Sequence, residues 1–377
     1  MKIFLNLLSA YSGGQITRAK EFLNIIQEDN SIEVVILKEF DSLKDLKSET
    51  NFKVVNKNSI HGPFRAFKRM VWENLNISPM MNDHNSEIYL TFSHYLPKSI
   101  SDNFHSIVGV SNLAPFSREA WEAENFLSRI RLFLLKRTIL SSCKRATKVL
   151  ALSMTCKNLL EEHGIEQEKI LVASNGVSEF WGKPSHKDYI KELGIHAPSI
   201  LYVSHFYFYK NFKNLILAYN KLNKLIKNKY QLILVGDPLD RACFEEVKKL
   251  VIRLKLEDNV MIYQGLEREK LRNLYQKTHL FVFASLIENS PNILLEAMKS
   301  GSPVLSTNLQ PMPEFCGDSA EYFDGKNIDE LTIKIQELLE NDDKRSGMIQ
   351  KSKEQAKKFT WETFTKKILK EFDSIHS

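Results

Sequence analysis

Glu288 and Glu296 stand with seven residues between them inside the stretch 281–304, where residue types and spacing first suggest chemistry. An apolar run reads as a buried strand ending at Ser285, and a short loop follows. Ser290 then reads as a helix cap, with Pro291 at the first helical position. A helix starting there directs the backbone amides of Asn292 and Ile293 outward. Helix N-termini that follow a parallel strand bind phosphates, because unpaired amides and the helix dipole both favour an anion. Leu294, Leu295 and Met298 form the buried face, so Glu296 is turned away from the core. A carboxylate in that position can accept from two vicinal ribose hydroxyls. Taken alone, each glutamate reads first as an ordinary solvated acid, since exposed acids are the norm.

The elements around this stretch are those of parallel sheets with crossover helices. Candidate strands in the first half are Lys2–Leu8, Glu33–Leu37, Ile88–Phe92, Ser106–Val110, Lys148–Ser153 and Ile170–Ala173. In the second half they are Ile200–Ser204, Gln231–Val235, Val260–Tyr263, Leu280–Ala284, Pro303–Ser306 and Glu321–Phe323. The turn-rich stretch 178–199 separates two doubly wound α/β units. The expected division is 1–180, 181–359 and a terminal helix at 360–377. In that tail Trp361, Phe364, Ile368, Phe372 and Ile375 form a helical stripe that needs a partner surface. The stripe can finish the second domain or cross back to the first; the expectation adopted is packing on the first.

Composition narrows the function. With 377 residues, 43% hydrophobic and 26% charged, the chain can build two domains and is not disordered. Lys and Arg total 52 against 46 Asp and Glu, a net +6, too mild to make nucleic acid an expected partner. Cys143, Cys156, Cys243 and Cys316 lie far apart without a Cys-x-x-Cys pair, which argues against a zinc site or disulfides and fits a reducing cytoplasm. The apolar start is broken by Asn6 and runs into Gly13-Gly14, so it reads as a first strand rather than a signal peptide. No apolar run is long enough to span a membrane.

Two glutamates so spaced, followed by Ala297-Met298, Gly301 and Pro303-Val304, resemble the signature of the family 4 retaining glycosyltransferases of the GT-B fold. The resemblance covers nearly the whole chain. It implies two Rossmann-like domains facing across a cleft, a nucleotide diphosphate sugar as donor substrate, and a glycan or lipid-linked acceptor. It also implies that Glu288 lies by the donor sugar and Glu296 on the ribose. Where the family commonly has Gly-Phe-Gly, this chain has Asn289-Ser290-Pro291, a variant associated with surface-polysaccharide members. Lys210 matches the basic residue that neutralises the donor pyrophosphate; by itself it would read as a surface lysine. Gly236 and Gly265 match strand-end loops near the nucleotide, and Gly13-Gly14, after Ser12, a glycine-rich loop of the first domain. His205 replaces the usual arginine before the lysine; it can donate to phosphate or merely pack. Near the acceptor, Asn112 keeps the pattern but Ser111 replaces a histidine, and His94 is a substitute imidazole. No metal site and no cofactor are expected, since Lys210 supplies the charge and no Asp-x-Asp motif occurs. Rival readings are a nucleotide-sugar epimerase of the same architecture and a non-catalytic nucleotide-sugar binder.

A basic run from Arg129 to Lys148 is interleaved with Phe126, Ile130, Phe133 and Leu134, and residues 64–72 have the same character. Such a helix either lies on an anionic membrane or packs its apolar side on the first sheet. The first reading gives a cytoplasmic protein in peripheral contact with the inner face of the plasma membrane.

Overall fold

The computed structural model describes residues 1–10, 13–39, 51–62, 64–100, 103–123 and 126–376. The chain divides into two compact units. One comprises Met1–Phe116, Glu124–Asn175 and Trp361–Ser377; the other, Ser117–Ala123 and Gly176–Thr360. The turn-rich stretch 178–199 thus belongs wholly to the second unit.

The first unit holds a seven-stranded parallel sheet of β1 (Lys2–Asn6), β2 (Glu33–Glu39), β3 (Phe52–Lys57), β4 (Ile88–Thr91), β5 (His105–Val110), β6 (Lys148–Ala151) and β7 (Ile170–Val172), in the order β3-β2-β1-β4-β5-β6-β7. The second holds β8 (Ser199–Val203), β9 (Gln231–Val235), β10 (Val260–Tyr263), β11 (Leu280–Phe283), β12 (Val304–Thr307) and β13 (Ala320–Phe323), in the order β10-β9-β8-β11-β12-β13. Both are doubly wound. Their inner strands are continuous apolar runs because helices cover both faces; β8 and β11 are buried at every residue. β3 is the strand the hydrophobic pattern does not announce: it is an edge strand with only Phe52 fully buried. Cys143, Cys156, Cys243 and Cys316 are buried and form no disulfide.

The tail helix Trp361–His376 buries Trp361, Phe364, Ile368 and Phe372 in the core of the first unit. Phe364 meets Phe92 with ring centroids 6.0 Å apart, and Lys367 donates to the Val172 carbonyl at 3.0 Å. The side chain of Ile375 and the residue Ser12 lie outside the described residues. Among the described residues no helix is long and apolar enough to cross a membrane.

Each sheet reverses its strand order once, between β1 and β4 in the first unit and between β8 and β11 in the second. Ligands of doubly wound sheets bind outside the carboxyl ends of the strands at that reversal. In the second unit the loops leaving those two strands carry Lys210 and Glu288.

Candidate active site

Backbone hydrogen bonds hold the loop after β8 against the one after β9. Ser204 N donates to Val235 O at 2.9 Å, and Phe206 N to Asp237 O at 3.0 Å. A Cβ on Gly236 would stand 1.7 Å from the Ser204 carbonyl oxygen, so only glycine fits. Gly265 has φ +75°, and a Cβ there would lie 2.9 Å from Asp237 Oδ1. Gly236→Ala is expected to cost about 1–3 kcal/mol of stability, the scale of overpacked interiors. Thermal denaturation checks it, and a wild-type melting point would mean the two loops do not touch.

His205 is partly buried, with Nδ1 3.5 Å from Asp237 Oδ2. Burial holds its pKa below the ordinary value; the Asp237 charge opposes this and Lys210 reinforces it. The unliganded imidazole is therefore neutral at pH 7, a hydrogen-bonding group rather than a fixed cation.

Lys210 closes a short turn over Phe208–Lys210. The buried Tyr202 hydroxyl donates to the Lys210 carbonyl at 2.6 Å, and Asn211, at φ 62°, donates from its amide to Gly325 O at 2.8 Å. Across the sheet reversal, Leu286 N donates to Tyr209 O at 2.9 Å. This joins the two loops, and Lys210 Nζ lies 2.5 Å from Glu288 Oε1 with both side chains 13% exposed. Tyr202, Asn211 and Gly325 escape sequence reasoning because their roles are to hold backbone in place.

The helix Asn292–Ser300 begins one residue later than its sequence suggests. Pro291 is the cap and not the first helical residue, and Ser290 is not the cap: the Pro291 carbonyl accepts from Leu294 N and Leu295 N at 3.1 and 3.2 Å. The amides of Asn292 and Ile293 precede the first intrahelical donors, four residues beyond Glu288. Asn289 is buried, while Ser290, Asn292 and Ile293 are partly buried.

Glu296 does leave the face formed by Leu294, Leu295 and Met298, but it is not solvated. It is partly buried beside the fully buried Tyr275, and burial pushes its pKa up to about 8 against the opposing influence of the Arg268 charge and the nearby Tyr275 hydroxyl. The Arg268 guanidinium lies 4.7 Å from the Phe180 ring centroid. Neither Arg268 nor Tyr275 is identified as a neighbour of Glu296 by helical spacing.

Gly13, Gly14 and Asn112 belong to the first unit. Gly13 has φ 65° and ψ −147°, a conformation open to glycine, immediately before the helix Gly14–Ile26. Asn112 is exposed, and its Oδ1 accepts from Ala114 N at 2.9 Å. Burial and the Arg69 charge lower the His94 imidazole to about 4. Ser111 has a structural partner that the sequence does not reveal: Arg18, 2% exposed, donates to Ser111 Oγ at 3.1 Å and to Asn175 Oδ1 at 2.8 Å. Burial lowers the Arg18 pKa to about 9.

Residues 187–355, the greater part of the second unit, match the family described as glycosyl transferases group 1. Over this segment, a little under half of its length, the chain is similar to the glycosyl transferases group 1 family. Lys210, Glu288, the Asn292 helix terminus and Glu296 all lie in the matched segment. O-antigen chain mannosyltransferase B of Escherichia coli is 31% identical over 157 residues, 41% of this chain and 40% of that protein. O-antigen chain mannosyltransferase RfbU of Salmonella typhimurium is 26% identical over 242 residues, 63% of this chain and 61% of that protein. The chain thus spans less than two thirds of the length of either relative. The solved structure of Anabaena HepE in complex with UDP and glucose aligns with a TM-score of 0.77 at 18% identity, covering 99% of this chain and 100% of that one. That likeness shows the fold, GT-B.

Proposed function

We propose that the chain is a family 4 retaining glycosyltransferase that moves a sugar from a UDP- or GDP-sugar to a hydroxyl of a glycan or lipid-linked oligosaccharide, in surface polysaccharide or lipopolysaccharide biosynthesis. The observation that carries this reading is the Lys210–Glu288 pair at the β8/β11 reversal, four residues from a helix N-terminus. An ammonium and a set of amides suit a diphosphate, and a carboxylate beside them suits the sugar. The O-antigen mannosyltransferase relatives support the surface-polysaccharide setting.

In the proposed reaction the acceptor oxygen bonds to the anomeric carbon as the bond from that carbon to the diphosphate oxygen breaks. The acceptor proton passes to the departing diphosphate, so no protein base is needed. Lys210 and the Asn292 amides stabilise the charge that develops on the diphosphate, and Glu288 faces the positive charge at the sugar ring. Glu296 holds the ribose and Asn112 serves the acceptor. His205, Gly236 and Gly265 border the nucleotide. Charged nucleotide sugars do not cross membranes unaided, which puts the reaction on the cytoplasmic side.

The test is a panel of UDP- and GDP-sugars with oligosaccharide acceptors, with the product anomer assigned by NMR. The expected product keeps the donor configuration, and its yield is unchanged by EDTA because Lys210 takes the place of a metal. Loss of activity in EDTA restored by manganese would overturn the metal-free reading. An altered sugar from donor alone would make the protein an epimerase.

A further inference from the structure

The first unit exposes two apolar stripes at helical spacing. Phe64, Phe67, Val71 and Leu75, on and just before the helix Arg65–Asp83, are 79%, 65%, 44% and 69% exposed. On the helix Phe126–Arg145, Phe126, Leu127, Ile130, Phe133 and Leu134 are exposed as well. Intervals of three and four mark the face a helix normally buries. The buried residues of this second helix, Ile139, Ser142 and Cys143, all come from its C-terminal half. Single exposed apolar residues are ordinary, but nine on two helices form a patch that wants a partner.

The two helices share one face of the sheet. They connect β3 to β4 and β5 to β6, crossing the sheet in the same direction, and right-handed crossovers then place both on the same side. Both are pinned to the segment after β4. Asn74 Oδ1 accepts from Lys98 N at 2.7 Å, Ser142 Oγ accepts from Leu96 N at 3.1 Å, and Arg145 donates to Leu96 O at 2.7 Å.

The charge on this face has one sign where the apolar groups are densest. The helix Phe126–Arg145 carries Arg129, Arg131, Lys136, Arg137, Lys144 and Arg145 and no Asp or Glu. The other begins with the exposed Lys68 between Arg65 and Arg69, which pair with Glu39 and Glu73. Exposed phenyl and leucyl groups set among cations fit a bilayer boundary, where rings enter the acyl region and cations meet lipid phosphates. We propose that this face docks on an anionic lipid bilayer, with Phe126, Leu127 and the Phe64–Leu75 stripe inserting. The inference goes beyond the transfer reaction and does not rest on it, since lipid binding needs neither donor nor acceptor.

Flotation of the full chain with phosphatidylcholine vesicles, with and without phosphatidylglycerol, tests the proposal. The protein is expected to float with the anionic vesicles only, and less as salt is raised. Phe126→Ser with Leu127→Ser, and separately Arg131→Glu with Arg137→Glu, are each expected to weaken binding by at least about tenfold. Because these side chains are exposed, the melting point should not move. Failure of the wild type to float, or flotation of both double variants at wild-type affinity, would overturn the proposal. So would a concentration-dependent dimer that the Phe126/Leu127 variant dissolves, which would give the face to a second copy of the chain.

Discussion

Lys210→Ala is expected to lower the rate of sugar transfer by about 10²–10³-fold, the effect of removing one preorganised group that stabilises developing charge. The ammonium is 13% exposed, so its field is screened less than that of a surface lysine. Its position is set by the Tyr202 hydroxyl on its own carbonyl and by the Leu286–Tyr209 backbone bond, so removing the side chain leaves the loop path intact. In the unliganded chain the ammonium neutralises Glu288; when a diphosphate arrives, it has an anion on either side. Glu288→Gln keeps the shape but removes the charge facing the sugar, and it should lower kcat by a similar factor. Residues that act as a unit do not lose activity additively, so the double variant is expected to be little worse than the poorer single one. Initial rates with saturating donor and acceptor, alongside circular dichroism, separate this from unfolding. A Lys210→Ala enzyme within about threefold of wild type would remove the lysine from the chemistry, given the size of the effects such groups ordinarily show.

How far the molecule could be read from its sequence depended on whether a feature was local. β8 and β11 are continuous apolar runs, legible as buried parallel strands, and the residues that follow them are by topology the ones at the sheet reversal. β3 is half exposed at an edge and has no such run. The start of the Asn292 helix was off by one residue because a proline suits both the cap and the first helical position. Arg18 was illegible for a stronger reason. An arginine on an amphipathic helix reads as solvated, and what buries it comes from Ser111 and Asn175, 93 and 157 residues away. The neutral partners of that guanidinium also account for a serine where the resemblance leads one to expect a histidine: its hydroxyl accepts from Arg18 while donating to the Phe92 carbonyl at 2.6 Å. The environment of Glu296 belongs to the same class, since helical spacing shows which way a side chain leaves its own helix and not what packs over it.

That environment makes Glu296→Gln act in opposite directions on stability and on binding. The folded carboxyl sits at about 8 and the unfolded one near 4.5. Between those values the folded chain holds a proton that the unfolded chain has released, so stability falls as pH rises through that window and levels off above it. Below the window both states are protonated and the group contributes no slope. Glutamine does not titrate. Between pH 5 and pH 8 the variant should therefore gain on the wild type by at least about 1.4 kcal/mol, the equivalent of a single pKa unit, relative to their difference at pH 5. Urea midpoints at the two pH values measure it, and parallel wild-type and variant curves would mean that burial does not raise this carboxyl. Ribose binding reverses the advantage. A carboxylate accepting from two hydroxyls must be ionised, so a nucleoside diphosphate should release a proton on binding below pH 8, seen by calorimetry in buffers of different ionisation enthalpy. Glu296→Gln should abolish that release and weaken the nucleotide by about 10–100-fold, since a hydrogen bond to a charged group contributes about 1.5–3 kcal/mol. If the variant bound UDP and GDP as tightly as the wild type, the ribose would have to be held by some other residue, and the elevated pKa would be a property of the packing beside Tyr275 alone.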